Sequence, residues 1–238
     1  MQAKDTPSRS TGKRFSSPRS SGSHSSTERQ FLQSNEDQFP LYLHKADIPL
    51  LTQAMHSYAH AAQYYMRDQQ LTAAVANSRL AELVALQIAR SQSSTSDTSI
   101  RLLKLSPSGV RCVTTKYLSV SEALTVARAY DLIVDWSAAI YNQYVVNGNE
   151  SYLAEYLDYS FLSPDIVLDV VKKLEYAGVT KVGQERIAVL LTHIEEADVI
   201  YRVASQLGLK SSIETCLSSS AAAYLKDTVF KKGFTYST

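Results

Sequence analysis

Two histidines with the spacing of a metal site are the first residues that suggest chemistry. His56 and His60 lie four positions apart, so one face of a helix would present both imidazole rings. A zinc-protease helix carries its catalytic glutamate directly after the first histidine, but Ser57 takes that position here. None of the other three histidines is an evident third ligand. We therefore interpret the pair as surface or groove residues and predict no metal site.

An acidic cluster late in the chain is the second candidate. Glu195, Glu196 and Asp198 offer carboxyl groups that can do acid–base work when a dry cleft holds them together. Asp198 also precedes Arg202 by four residues, which is the spacing of an ion pair on a helix surface. We therefore interpret this cluster as part of a solvated helix face.

A pair of glycines has the first spacing of a phosphate-binding loop. Gly178 and Gly183 are five positions apart, but Gln184 and Glu185 stand where that loop needs lysine and then serine or threonine. The sequence contains neither the dinucleotide-binding glycine motif nor a serine elbow. It therefore predicts no catalytic residue, no cofactor and no enzymatic activity.

Composition and charge exclude several further classes of protein. The first 40 residues hold six basic and four acidic side chains, which leaves 18 basic and 19 acidic ones in the rest. This balance predicts no nucleic-acid partner and no cationic face able to hold a membrane unaided. Two cysteines make neither a disulfide framework nor a metal cluster. With no signal peptide and no long apolar stretch, we expect a cytoplasmic protein.

Composition also divides the chain into two parts. Residues 1–38 are rich in serine and arginine and nearly free of large apolar side chains, so we predict that they are disordered. Residues 39–238 should form one helical domain, an irregular α-solenoid of about eight or nine helices in antiparallel pairs. Residues 91–99 are interpreted as a polar loop and 106–109 as a turn. The predicted helices span about 46–68, 71–90, 119–133, 136–146, 150–161, 164–177, 183–207, 210–218 and 221–231. Ser163 is the predicted cap of the helix over 164–177, with Pro164 at its first position.

The clearest local pattern lies between residues 119 and 153. Ser119 or Ser121 can cap a first helix, and Asp135 can cap a second. Gly148 can adopt the left-handed conformation that closes the second helix, and Asn149 can cap a third. Connections this short force neighbouring helices to pack antiparallel.

The single tryptophan directly follows one of these caps. Trp136 could fill the crease between neighbouring helices, or it could anchor a protein partner, since tryptophan is enriched at binding hot spots. We favour the packing role because large aromatic side chains at helix starts mostly pack.

Aromatic and polar residues in this pattern resemble the C-terminal domain of the spatacsin family. The resemblance spans roughly residues 50–230, with an upstream part at 62–68 and 79–88. The chain departs from the family at Arg128, where an acidic residue is expected, and at Asn149, where aspartate is expected. Nine matching positions are expected to be structural or partner-binding, and Glu155 also matches the family pattern. The nine are Tyr130, Asp131, Asp135, Trp136, Tyr141, Gln143, Gly148, Tyr152 and Leu153.

The resemblance implies a non-catalytic scaffold in late-endosome and lysosome trafficking and in autophagic lysosome reformation. It implies a spastizin-like protein and the fifth adaptor-protein complex as partners, with peripheral recruitment to late endosomes and lysosomes through those partners. The residues themselves leave a second interpretation open, a helical regulatory subunit of another assembly of the coat or lid type.

Overall fold

Helices make up most of the protein. The computed structural model describes residues 41–218, and ten α-helices lie within them. The predicted all-α class is therefore confirmed, while the predicted segment 1–38 and the predicted helix 221–231 lie outside the described residues. The helices are α1 Ile48–Arg67, α2 Leu71–Ser93, α3 Pro107–Lys116, α4 Val120–Ala129, α5 Trp136–Ile140, α6 Glu150–Tyr159, α7 Pro164–Ala177, α8 Lys181–Leu191, α9 Ala197–Leu207 and α10 Lys210–Ser218.

Four further short elements accompany these helices. A 3-10 turn, Lys45–Asp47, precedes α1, and a π-helix, Tyr141–Val146, continues α5. Strands β1 (Tyr42–His44) and β2 (Thr98–Ile100) form a two-stranded antiparallel sheet in which Leu43 lies opposite Ser99. The sheet was not predicted from the sequence, because each strand has only three residues.

Capping side chains fix the start of six helices. Each of them accepts a hydrogen bond from the backbone N–H three residues later, which satisfies a donor that the helix cannot use. Ser119 and Glu122 form a complete capping box at the start of α4. The six caps are Ser106, Ser119, Asp135, Asn149, Ser163 and Thr180, so the predicted caps at 119, 135, 149 and 163 are confirmed.

The main hydrophobic core lies among the helices from α4 to α9. Its most deeply buried side chains include Tyr156 of α6, Val167 of α7 and Ile187 of α8. Most helices pack against helices near to them in the chain, such as α1 on α2 and α9 on α10. This order of packing is typical of helical solenoids.

Helix α3 was missed because its first residues form a turn signal. The expected turn at 106–109 is instead a helix start, where the Ser106 hydroxyl accepts from the Gly109 N–H and Pro107 occupies the first helical position. The helix continues because Val110 and Val113 are buried against the core. The same serine–proline signal was interpreted correctly at residue 163, where a long periodic run follows.

The predicted long helix over 183–207 was also wrong, because it is two helices. Helix α8 ends at Leu191, where the Thr192 hydroxyl donates to the Val189 carbonyl, and α9 begins at Ala197. Between them the chain turns so that Ile194 is buried in the core. This break and the missed α3 explain why ten helices lie in the described part, more than the eight or nine predicted for the whole chain.

A buried polar cluster joins α2 to the sheet. The side-chain amide of Gln87 donates to the Ser99 hydroxyl (3.1 Å) and the Ile100 carbonyl (3.1 Å), and its oxygen accepts from the Leu102 N–H. The Ser91 hydroxyl shares a 2.7 Å hydrogen bond with that of Ser99. Gln87 and Ser91 are fully buried, so residues 91–99, predicted to be a polar loop, begin and end inside the protein. We call Gln87, Ser91 and Ser99 the Gln87 cluster.

Candidate partner-binding site

The first family-motif pair forms the turn that ends α4. This helix stops at Ala129 rather than near 133, because Asp131 adopts a left-handed conformation with φ of 52°. The Tyr130 hydroxyl donates to the Leu102 carbonyl (2.9 Å) and accepts from the Leu105 N–H (3.0 Å). Burial raises the pKa of Tyr130 despite the hydrogen bond from Leu105. Tyr130 is therefore a structural clamp, whereas the Asp131 side chain is almost fully exposed and lies 3.7 Å from Arg79.

The second pair starts α5. The Asp135 carboxylate accepts from the Ala138 N–H (3.0 Å) and the Ser137 hydroxyl (2.8 Å). Burial by itself raises the pKa of Asp135, but these hydrogen bonds, together with nearby Lys173 and Arg111, lower it below its ordinary value. The cap thus holds the helix end that presents Trp136.

Trp136 lies in a crease between helices, as the favoured interpretation predicted. Its ring is half-buried against the core, with its centroid 5.3 Å from that of Tyr156 and 5.9 Å from that of Tyr159. Such tilted aromatic pairs are favourable beyond the area they bury. Because Trp136 is only partly buried, it can pack and still border a partner surface.

The next motif positions lie in the π-helix after α5. Gln143 is buried, and its backbone carbonyl accepts from the Asn149 N–H (2.9 Å). Tyr141 is half-buried. A π-helix widens the turn by one residue, and such turns occur often at functional sites. Gln143 therefore belongs to the interior, and Tyr141 belongs to both the core and the surface.

Gly148 closes this element, as predicted. Its φ is +74°, and a β-carbon at this position would collide with the guanidinium of Arg186. That guanidinium donates to the carbonyls of Val145 (2.7 Å) and Val146 (2.9 Å). A cation thus caps the carbonyl end of the π-helix, where the backbone dipole favours positive charge. The glycine is required both by its conformation and by this close approach.

The last motif pair is buried in the core. Tyr152 and Leu153 of α6 are 3% and 5% exposed. The Tyr152 hydroxyl is the one buried side-chain polar atom among the described residues with no hydrogen-bond partner. Burial raises the pKa of Tyr152 well above its ordinary value, so the phenol stays protonated.

Two tyrosine-to-phenylalanine variants should differ in their effect on stability. Removing the unpaired hydroxyl with Tyr152→Phe should leave the free energy of unfolding unchanged or raise it by up to about 1 kcal/mol, because a buried polar group without a partner is costly. Tyr130→Phe removes two hydrogen bonds and should lower it by about 1–2 kcal/mol. Chemical denaturation of both variants beside the wild type tests this, and a loss for Tyr152→Phe as large as that for Tyr130→Phe would contradict it.

Glu155 acts across helices rather than within one. Its carboxylate on α6 accepts from the backbone N–H groups of Val120 (3.2 Å) and Ser121 (2.9 Å) at the start of α4. Burial by itself raises the pKa of Glu155, but the hydrogen bonds from Ser121 and Val120 outweigh it and lower the pKa. The family pattern included Glu155, but nothing in its local sequence signals a contact with a residue 34 positions away.

This clamp should make stability depend on pH. The folded pKa of Glu155 lies below its unfolded value of about 4.3, so its contribution is present above about pH 4.3 and is lost as pH falls through the folded pKa. Glu155→Gln should therefore lose less stability than the wild type between about pH 5 and pH 3. Thermal melts across this range test the prediction, with Asp158→Asn on an exposed position of α6 as control. Identical pH profiles for the wild type and Glu155→Gln would refute it.

One motif residue also lines a concave surface, which we call the α5–α7 groove. This groove of about 630 Å³ lies between the α5 region and α7. Tyr141 and Asn142 form one side and Tyr176 the other, with the Tyr176 side chain 96% exposed. Lys172 and Lys173 add positive charge, although Lys172 pairs with Asp169 at 2.9 Å. Exposed aromatic side chains around a concavity are typical of protein-binding surfaces.

The histidine and acidic residues considered for chemistry are all exposed at the surface. His56 and His60 are both exposed on α1, and Glu195, Glu196 and Asp198 are exposed around the break between α8 and α9. Within residues 41–218, no group of three or more histidine, cysteine, aspartate or glutamate side chains could hold a metal ion. None of the helices described there is long and apolar enough to cross a membrane.

Fold and site together define an all-α domain whose motif residues mainly secure helix ends, with a groove beside them. The family model described as "Spatacsin C-terminus" matches residues 15–176, which is more than half of the chain. The chain therefore belongs to the spatacsin family. The match begins and ends earlier than the resemblance over 50–230, and it includes all nine predicted site positions.

A curated relative agrees with this assignment. The chain is 31% identical over 157 residues to spatacsin from Mus musculus. The aligned part covers 65% of this chain but only 6% of that relative. The comparison with solved structures found no match.

Proposed function

We propose that this chain is a non-catalytic scaffold or adaptor domain that acts by binding proteins in late endosome–lysosome trafficking and autophagic lysosome reformation. The observation that carries the proposal is the α5–α7 groove, which joins the family-motif residue Tyr141 to the nearly fully exposed Tyr176. Both tyrosines lie within the range matched by the family model. An aromatic ring that is exposed to solvent buries no apolar area, whereas contact with a protein partner would bury it.

The partners we propose are a spastizin-like protein and the fifth adaptor-protein complex. Recruitment to late endosomes and lysosomes would then be peripheral and would pass through these partners. The near-neutral charge of the whole chain supports this route, since direct adsorption to anionic lipid needs clustered basic residues.

Affinity purification of the full tagged chain, followed by mass spectrometry, tests the proposal. We expect spastizin and adaptor subunits among the recovered proteins, and at least about tenfold less of them with Tyr176→Ala. Phe161→Ala is the matched control, because its ring is 95% exposed and does not line the groove. Equal recovery with both variants would show that the groove is not the docking site, and recovery of neither partner would reject the proposed function.

A second candidate function is a helical regulatory subunit of another assembly, of the coat or lid type. The packing of most helices against their neighbours in the chain supports this candidate as much as the first, because such packing is typical of scaffolding solenoids in general. Recovery of a different stable complex in the same experiment would support this candidate over the first.

A further inference from the structure

Helix α1 has an outer face that is unusual for a solvated helix. It packs against α2 and the preceding 3-10 turn, and none of its 20 residues is buried. Leu50 and Tyr64 are two-thirds exposed at opposite ends of the outer face, at 67% and 66%. A helix of this length is roughly 30 Å long, so the face is a long, uncovered strip.

This face carries almost no charge. From Ile48 to Arg67 the helix contains no aspartate, glutamate or lysine, and Arg67 is its one permanently charged residue. By contrast, the shorter α7 carries five charged side chains in fourteen residues. Solvated helix faces are normally rich in charge, whereas the centres of protein interfaces are depleted of it. The composition of α1 therefore indicates a covered face.

Six of the ten exposed residues of α1 also follow the spacing of a helix–helix seam. They recur at alternating intervals of three and four, which keeps them in one line facing a partner helix. All six are exposed, and their mean spacing is that of a heptad repeat. They are Leu50, Gln53, Ser57, His60, Tyr64 and Arg67.

We propose that the occupant of this face is a second copy of the same chain, with the two α1 helices antiparallel about a twofold axis at Ser57. Ser57 is the midpoint between Asp47 and Arg67 and also between Leu50 and Tyr64. An antiparallel pair therefore brings Arg67 of each copy to the Asp47 of the other, and Tyr64 to Leu50. A twofold interface requires this kind of self-complementarity.

The end charges are available for such pairing. Asp47 and Arg67 are exposed, and neither forms a hydrogen bond or an ion pair through its side chain within residues 41–218. Their charged neighbours are engaged elsewhere, since Lys45 donates to the Ser94 carbonyl (2.7 Å) and Asp68 accepts from the Gln70 amide (2.6 Å). At the axis, the small Ser57 side chain lets two helices approach closely. This proposal does not depend on the proposed function.

Sedimentation velocity of the full chain over a range of concentrations tests the dimer. We expect twice the monomer mass at high concentration, and we expect Ser57→Glu to be monomeric because it places two carboxylates against each other at the axis. Asp47→Arg or Arg67→Asp alone should weaken association by about tenfold, and the double variant should restore it. Lys181→Glu, an exposed charge change on α8, is the control and should leave the dimer intact. Circular dichroism confirms that each variant is folded.

Cross-linking through the axis gives an independent measurement. Ser57→Cys should form an intermolecular disulfide on mild oxidation, whereas Ser218→Cys, exposed at the end of α10, should not. A chain that stays monomeric at every concentration would overturn the proposal, as would a dimer that is indifferent to Ser57→Glu. Protection of α1 by a different protein, with no self-association, would assign the face to that partner and would likewise overturn it.

Discussion

Replacing Gln87 with leucine is expected to lower the free energy of unfolding by about 3 kcal/mol. The leucine occupies a similar volume but cannot bond to its surroundings. It leaves the Leu102 N–H and the Ile100 carbonyl without the partner they have now, and it removes a donor from Ser99. Each buried group left unsatisfied costs about 1–3 kcal/mol, so the losses together are large.

Gln92→Leu is the matched control for this experiment. It makes the same chemical change on the same helix, but at an exposed position. We expect a change within about 0.5 kcal/mol for the control. Urea denaturation of the two variants and the wild type measures the difference, and similar stabilities for both variants would show that the Gln87 cluster does not support the fold.

Trp136→Ala is expected to cost about 3 kcal/mol, at the lower end of the range for large aromatic truncations, because the ring is only half-buried. The variant removes contacts with Tyr156, which is almost completely buried, and with Tyr159. Trp136→Phe should retain part of this packing and cost less than Trp136→Ala. Thermal and chemical denaturation measure both variants.

The same variant also separates the two roles considered for the tryptophan. If Trp136 mainly packs, Trp136→Ala should be less stable than the wild type. Below its melting temperature, the folded variant should still bind the partners. A stability close to that of the wild type, combined with lost partner recovery, would instead identify the ring as an interface anchor. Phe161→Ala serves as the control here too, since its exposed ring should contribute little to stability.

The family-motif positions show why a site is harder to predict than a fold. Asp135 was expected to start a helix and Gly148 to end one, and both do so. The cross-chain roles of Tyr130 and Glu155 were not foreseen, because the groups they bind are 28 and 34 residues away. The α5–α7 groove was also not foreseen, since it needs two helices to be placed side by side before Tyr141 and Tyr176 share a surface.

The sequence by itself determined the helical class and most helix ends, because a capping serine, aspartate or asparagine and its N–H partner lie three residues apart. Interactions between residues this close in the chain can be predicted without knowing the fold. The two short strands, the buried Gln87 cluster and the Arg186 cap on the π-helix were decided by the tertiary structure. Each joins groups that are far apart in the chain, such as Arg186 and Val145, which are 41 residues apart. Their hydrogen bonds form only after helix packing has excluded water, so no local pattern encodes them.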